Sequence, residues 1–529
     1  MLVGLTAAPA VLAADASSLW PSAGQNLRNT RAQGAETQIN PLNAGSLVKA
    51  WEVDTTGDVS ATPAVDGRNL YFPDAGGSLW ALDRATGNVV WHKTMADYGL
   101  LAPGDYARTT PVIAGSKLIF GDQGGKFFAG ASVMAVAKQT GELLWKTTVD
   151  THFSAMVTQS AIWDESSNVV YVGVASNEEG FAAFIPGYEC CTFRGSVVAL
   201  NANTGAILWK TYMAREGSSG NAVWGSTPVI DRSRQSLYVT TGNNYSVPAD
   251  VSTCVAAATT PEGKAACISP DDHFDSVLAL DLKTGGIRWS SRAVPFDAWI
   301  VSCIAGFDVF GGAACPEPAG PDYDFGQGPM LFTVKTPGNK SRDLLGAGQK
   351  SGQYWALDPD SGAVAWVTQT GPGGTAGGLQ WGSATDGRRI FTANANSDHK
   401  PWDLVPSGGV TNGGIWSALD AATGQIIWQV ANTNPDPNPL GVLPPGFRAG
   451  SNAPVTVANG VVYGCSLDPE GHMYAFEAAT GAPLWEFHAP DSGSCAAGPA
   501  VVQGTVYWGS GYGGFFGASG HKMRAFKLP

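Results

Sequence analysis

The sequence predicts an all-β fold, an eight-bladed β-propeller closed by pairing its N- and C-terminal strands, and three observations predict it. The first is an eleven-residue phrase, Ala-x-x-x-x-Thr/Ser-Gly-x-x-x-Trp, that occurs seven times: 81–91, 135–145, 199–209, 279–289, 356–366, 418–428 and 475–485. The second is an eighth copy split between the ends. Met523-Arg-Ala-Phe-Lys-Leu-Pro529 is the alanine-bearing strand with no turn after it, and Leu47-Val-Lys-Ala-Trp-Glu-Val53 supplies the missing return strand with Trp51. The third is punctuation: Gly 68 and Pro 33 separate short runs rich in Val, Ile, Tyr and Trp, and helix signals are nearly absent. Self-similarity built from strands and turns at a period of tens of residues is the mark of a propeller.

Each part of the phrase has a physical role. The apolar runs before and after Thr/Ser-Gly are strands, and the glycine supplies the positive φ of a tight reversal. The tryptophan on the returning strand is expected to pack between blades. Joining the ends in one blade leaves no open sheet edge. Tryptophan spacings of 40, 54, 64, 80, 77, 62 and 57 residues begin near the length of a bare blade and then exceed it. The excess between Trp145 and Trp366 is inserted loop, where a rigid scaffold usually carries function.

Repeat architecture overrides the length prior of several domains, so residues 15–529 read as one propeller domain. Before it, residues 2–14 form an apolar run ending in small residues, the remnant of a signal peptide cut after Ala13 or Ala14. No run is long enough to span a membrane, and no lipid-anchor cysteine follows the cleavage region. A net charge of −13 argues against nucleic acid or an anionic membrane as partner. Eight cysteines fit an exported, periplasmic or secreted protein. The pairing that needs no long reach is Cys190–Cys191, Cys254–Cys267, Cys303–Cys315 and Cys465–Cys495, out of 105 possible. There is no Cys-x-x-Cys-His, so no covalent haem is expected. An adjacent bonded pair such as Cys190–Cys191 is strained, and strain of this kind usually marks a functional loop.

The propeller, the Ala-x-Asp-x-x-Thr-Gly-x-x-x-Trp form of the repeat and the Cys-Cys pair together resemble the pyrroloquinoline-quinone (PQQ) dependent alcohol dehydrogenases, most closely their polyvinyl-alcohol dehydrogenase type. The resemblance runs from about residue 45 to 529 and implies PQQ and Ca²⁺ as cofactors. It places metal ligands at Glu178, with Glu179 as the alternative register, and at Asn243 in Thr-Gly-Asn243. Ca²⁺ takes hard oxygen ligands and acts as a Lewis acid. Trp224 matches the floor of the cofactor pocket, and Cys190 and Cys191 match its opposite wall or the substrate entrance. Lys350, in Gly-Gln-Lys-Ser-Gly, matches the basic residue on the quinone oxygens, and Arg108 the one that pairs a cofactor carboxylate. Thr158 and Asn396 are implied polar contacts.

The general base departs from the pattern. Where the family has Pro-x-Asp-x-Trp-Asp, this chain reads Pro295-Phe-Asp297-Ala-Trp299-Ile300, so Asp297 is the expected base and Asp308 the fallback. The resemblance implies oxidation of bulky or polymeric secondary alcohols, polyvinyl alcohol among them, with electrons passed to an external cytochrome c-type acceptor. The rival class is a non-catalytic eight-bladed binding scaffold of the cell envelope, against which Cys190-Cys191, Lys350 and Trp224 stand. Eight blades exclude a six-bladed sugar dehydrogenase.

Overall fold

A computed structural model describes residues 18–100, 104–123, 130–336, 338–438, 446–513 and 517–529. The expected leader at residues 1–14 and the Asp308 side chain lie outside the described residues. Eight antiparallel sheets of four principal strands surround one axis: blade 1 at 64–94, blade 2 at 112–150, blade 3 at 162–212, blade 4 at 229–292, blade 5 at 330–369, blade 6 at 384–431, blade 7 at 456–487 and blade 8 at 500–527. Val48–Asp54 completes blade 8 as its outermost strand, with Trp51 opposite Ala525. The split copy therefore closes the ring, as the sequence predicts.

In all eight copies the alanine and the tryptophan of the phrase are direct cross-strand partners, as in Ala81↔Trp91 and Ala279↔Trp289. The small residue leaves room for the indole, which leans onto the turn glycine of the next blade. Gly285, at φ +72°, shows why glycine is needed: a Cβ there would lie 2.5 Å from the Trp209 ring. The indole N–H then donates to a carbonyl of that neighbouring blade. Trp51 reaches Arg84 O at 3.1 Å, Trp91 reaches Lys138 O at 3.0 Å, and Trp145 reaches Ala202 O at 3.1 Å. Blade 8 has no turn glycine to receive Trp485, whose N–H instead meets Leu47 O at 2.9 Å, just before the closing strand. Trp366 lies on Gly424 but its N–H finds no acceptor.

The segment before blade 1 fastens the inner strands. Backbone carbonyls of Pro21, Leu27, Arg28, Thr30 and Arg31 accept from Ile113, Ile230, Leu331, Thr385 and Val457, one in each of blades 2, 4, 5, 6 and 7. Arg31 is fully buried and donates to Val455 O, Ala23 O and Thr62 Oγ1. Burial without a carboxylate partner lowers its pKa to about 9. The phrase turns lie on one face of the ring. The links between the second and third strands, and from blade to blade, lie on the other. That second face carries the long insertions of blades 3 and 4, including helix α1 (Glu178–Phe184) and the loops stapled by Cys254–Cys267 and Cys303–Cys315. Cys190–Cys191 and Cys465–Cys495 are the other two disulfides.

Gly285→Ala is expected to destabilise the protein by ~1–3 kcal/mol, through positive φ and overlap with Trp209. Gly286→Ala should be close to neutral, because an added Cβ there meets only Thr284 Oγ1 at 3.4 Å. Thermal melting of the two variants side by side checks this.

Candidate functional site

The sequence-selected residues come from strand ends on the loop-bearing face. Trp224 precedes the first strand of blade 4, Asn243 follows its second, and Lys350 follows the second strand of blade 5. Lys350 Nζ lies 5.5 Å from the Trp224 ring centroid, so the ammonium sits by the indole face. Two carboxylates join them that the sequence reading did not single out. Asp324 accepts from Trp224 Nε1 at 2.9 Å and from the Asn243 backbone N–H at 2.7 Å, with Lys350 Nζ at 3.3 Å. Asp322 accepts from Lys350 Nζ at 2.8 Å. Burial lowers the Lys350 pKa, but Asp322, Asp324 and Glu179 outweigh it and hold the ammonium well above its usual range.

At the start of helix α1 the structure assigns the two glutamates different work. Glu178 is fully buried and its carboxylate faces the Cys190–Cys191 loop. It accepts from the backbone N–H groups of Thr192 and Phe193, both at 2.8 Å, and from Tyr188 Oη at 2.7 Å. Burial raises its pKa, yet these donors and His152 outweigh that and hold the carboxyl below the usual range. Glu178 thus clamps the disulfide loop on both sides. Glu179 is the glutamate coupled to Lys350 and Asp324; burial pushes it up to about 7, Asp324 adding and Lys350 opposing.

Asp297, the expected base, is a buried acceptor. It is 0% exposed, and its carboxylate accepts from the backbone N–H groups of Asp322 at 3.2 Å and Tyr323 at 2.8 Å. It supports the loop carrying Asp322 and Asp324 from behind. Asp275 lies against it as a carboxyl pair that needs a shared proton, since among the described residues no donor reaches either Asp275 oxygen. Burial raises Asp297 to about 6 and Asp275 well above its usual range, the neighbouring acidic charges adding to the latter. Ile300, in the family's usual acidic position, is buried in the apolar cluster that includes Phe193 and Tyr245, with Trp224, Cys190 and Cys191 packed on its edge.

The remaining expected contacts divide. Arg108 lies 4.3 Å above the Trp381 ring, and Trp381 meets Trp224 edge-to-face at 5.3 Å, so Arg108 belongs to the same aromatic strip. Arg108, Thr158, Ser226 and Trp381 line one axial cavity of about 50 Å³ with Arg31 and Thr62. Asn396 does not join them. Its amide donates to Lys400 O and Gly413 O and accepts from the Lys400 N–H, which commits it to its own loop.

This donor set fits a hard cation. Asn243 Nδ2 is spent on the carbonyls of Asn244 and Trp299, both at 2.8 Å, which turns Oδ1 free of any donor among the described residues. Asp322 Oδ2 is buried without a partner. Among the described residues Glu179, Asp322 and Asp324 face one lysine, Lys350, and an excess of buried negative charge calls for a proton or a cation. Oxygen donors alone suit Ca²⁺ or another hard multivalent ion. The flat Trp224 face with Lys350 beside it equally fits an anionic, planar cofactor.

The raised carboxyls give a pH signature. Below about pH 4 the folded and unfolded chains both hold these protons, and the full stability is present. As pH rises, the unfolded chain releases them first, so stability is lost until Asp297 ionises near 6 and Glu179 near 7. In the metal-free chain, Asp297→Asn and Glu179→Gln should each gain thermal stability relative to wild type as pH rises from 4 to 7. Melting curves across that range test it.

A family model described as outer membrane protein assembly factor BamB matches residues 33–188, 132–291 and 411–525, in overlapping windows suited to a repeat. Two polyvinylalcohol dehydrogenases are similar along nearly the whole chain. That of Sphingopyxis sp. (strain 113P3) is 31% identical, covering 97% of this chain and 76% of the relative; that of Pseudomonas sp is 30% identical, covering 94% and 73%. The quinohemoprotein alcohol dehydrogenase structure from Comamonas testosteroni superposes with TM-score 0.68 at 18% identity, over 97% of this chain and 81% of its own. A europium-containing methanol dehydrogenase gives 0.67 at 16%, over 96% and 98%. These two structures share the eight-bladed fold, and the identity to the first two relatives carries the assignment. The chain belongs to the polyvinyl-alcohol dehydrogenase family of quinoprotein alcohol dehydrogenases.

Proposed function

We propose that this protein oxidises bulky or polymeric secondary alcohols, such as polyvinyl alcohol, using PQQ and a hard metal ion. Electrons then pass to an external cytochrome c-type acceptor. The observation that carries the reading is the meeting of Trp224, Lys350, Asp324 and the free Asn243 Oδ1 at one point of the loop-bearing face. The names of the 31% and 30% identical relatives support the substrate class. Four disulfides support an exported location, and among the described residues no helix is long and apolar enough to cross a membrane.

Glu179 and Asn243 Oδ1 would hold the ion, calcium or a lanthanide, with Asp322 Oδ2 as a further oxygen. Trp224 would bear the quinone plane, with Lys350 at its oxygens and Arg108 toward a carboxylate. When bound, the quinone supplies a two-electron acceptor and the cation polarises it. The protein's own contribution to the chemistry is proton transfer. Asp324 touches the floor tryptophan, the lysine and the backbone of Asn243, so it is the carboxylate at the junction of cofactor and metal, and it takes the hydroxyl proton of the alcohol. Asp297 holds the Asp324 loop in register without touching substrate.

Reconstitution with PQQ and either Ca²⁺ or La³⁺, followed by dye-linked oxidation of alcohols of increasing size, tests the proposal. Absorbance should report bound quinone, and turnover should extend to polyvinyl alcohol. A parent protein that binds no PQQ would return the chain to the scaffold class. Asp324→Asn should keep PQQ binding and lose about 10²–10⁴-fold in kcat. An equal loss in Asp297→Asn, with Asp324→Asn near normal, would return the role to Asp297.

A further inference from the structure

On the same face, but on blade 7 and away from the quinone site, two histidines and a glutamate converge. The last two strands of that blade are antiparallel, with Met473 opposite Phe487. The residues next outward, His472 and His488, therefore meet at the strand ends, and their rings stack at 4.3 Å with planes 13° apart. Glu470 comes from the preceding turn, its Oε2 2.6 Å from His488 Nδ1. One ligand atom from each of the three lies within 4.8 Å of the others.

The turn beneath is built to present them. Asp468, 1% exposed, accepts from the Glu470 backbone N–H at 2.9 Å and from the His472 backbone N–H at 3.1 Å. It also accepts from His472 Nδ1 at 2.8 Å. A carboxylate on Nδ1 keeps the proton there and leaves Nε2 with a lone pair, the arrangement that orients histidine toward a metal. Glu486 Oε1 faces that nitrogen at 3.4 Å. In the metal-free chain burial lowers the His472 pKa, but Asp468, Glu486 and Glu470 outweigh it and hold the ring above its usual range, so a proton can stand between Nε2 and Glu486. A dication shared by the two imidazoles would take that proton's place and meet Glu470 and Glu486 together.

We propose that His472 Nε2, His488 Nδ1 and Glu470 form a second metal site, with Glu486 completing it, and that it takes Zn²⁺ or another borderline divalent ion. Two nitrogens and carboxylate oxygens match the tetrahedral preference of Zn²⁺, while Ca²⁺ prefers oxygen alone. The bound ion ties the turn at 466–472 to the outer strand of blade 7. The site is independent of the oxidation chemistry.

Calorimetric titration of Zn²⁺ into the full chain, with Ca²⁺ in excess to keep the oxygen site out of the signal, tests it. Wild type should take up about one equivalent. His488→Gln and Glu470→Gln, both at half-exposed side chains, should each weaken binding at least tenfold, and Asp468→Asn about 10–100-fold. Co²⁺ should give visible absorption bands in wild type that His488→Gln abolishes. Thermal melting without added metal confirms that the variants are folded. Absence of Zn²⁺ uptake by wild type, or equal uptake by folded His488→Gln, overturns the proposal.

Discussion

The contact on which this architecture depends is an indole laid on a glycine. Each blade sends one tryptophan to its neighbour and receives one, so the ring is held by a chain of like joints, of which the one from blade 7 to blade 8 lacks the glycine. The joint demands three things of the sequence at once: an alanine across the strand to make room, a glycine in the left-handed region to be covered, and a carbonyl for the indole N–H. Only Trp366 lacks the last of these. Because the joints lie at the turn end and outer half of the blades, the opposite ends of the strands are released from structural duty. The loops there can lengthen without disturbing the ring.

That freedom is spent on charge. Lys350 is the ammonium the site assembles around, and it is outnumbered by the carboxylates of Glu179, Asp322 and Asp324. In water such an excess costs little, but under blades 3 to 5 it cannot be tolerated as a set of bare anions. The raised carboxyls are the metal-free response to that excess, and a cation is the alternative response. The second tier, Glu178 behind the disulfide loop and Asp297 behind the Asp322–Asp324 loop, shows carboxylates used differently. There backbone N–H groups meet the charge, and the acid serves as a strut.

This division explains what the sequence made legible. The blades were readable because every element of the joint is local: alanine, glycine and tryptophan stand at fixed offsets in one hairpin, and the split copy differs only in where the chain is interrupted. That Trp224, Asn243 and Lys350 meet on one face was readable because they flank strands whose register the phrase already sets. Which of Glu178 and Glu179 turns toward Lys350 was not. The residues after Ser176 wind into helix α1, where one step along the chain turns a side chain by about 100°. Nor was Asp324. Asp-Tyr-Asp at 322–324 does place two acids on one side of an extended segment, a usable signal. Nothing in the linear order says that this segment folds back against Asp297, however. That fold-back needs Gly320, where any side chain would collide with the Asp297 carboxylate. The hydrogen bonds of Asn396 were illegible for another reason, since an amide that satisfies its own loop looks the same in sequence as one offered to a cofactor.

The closing strand has a temporal consequence. Val48–Asp54 finds its partner only in Lys522–Lys527, so almost the whole chain must emerge from the ribosome before the first-made blade strand can be paired. The entropy of closing so long a loop grows only logarithmically, and the finished ring bears it easily. The burden falls on rate. Contacts this remote in sequence form late, and until they do blades 1 and 7 each present an uncovered flank. A nascent chain of this design spends its early life as an open arc, with its two flanks waiting for each other.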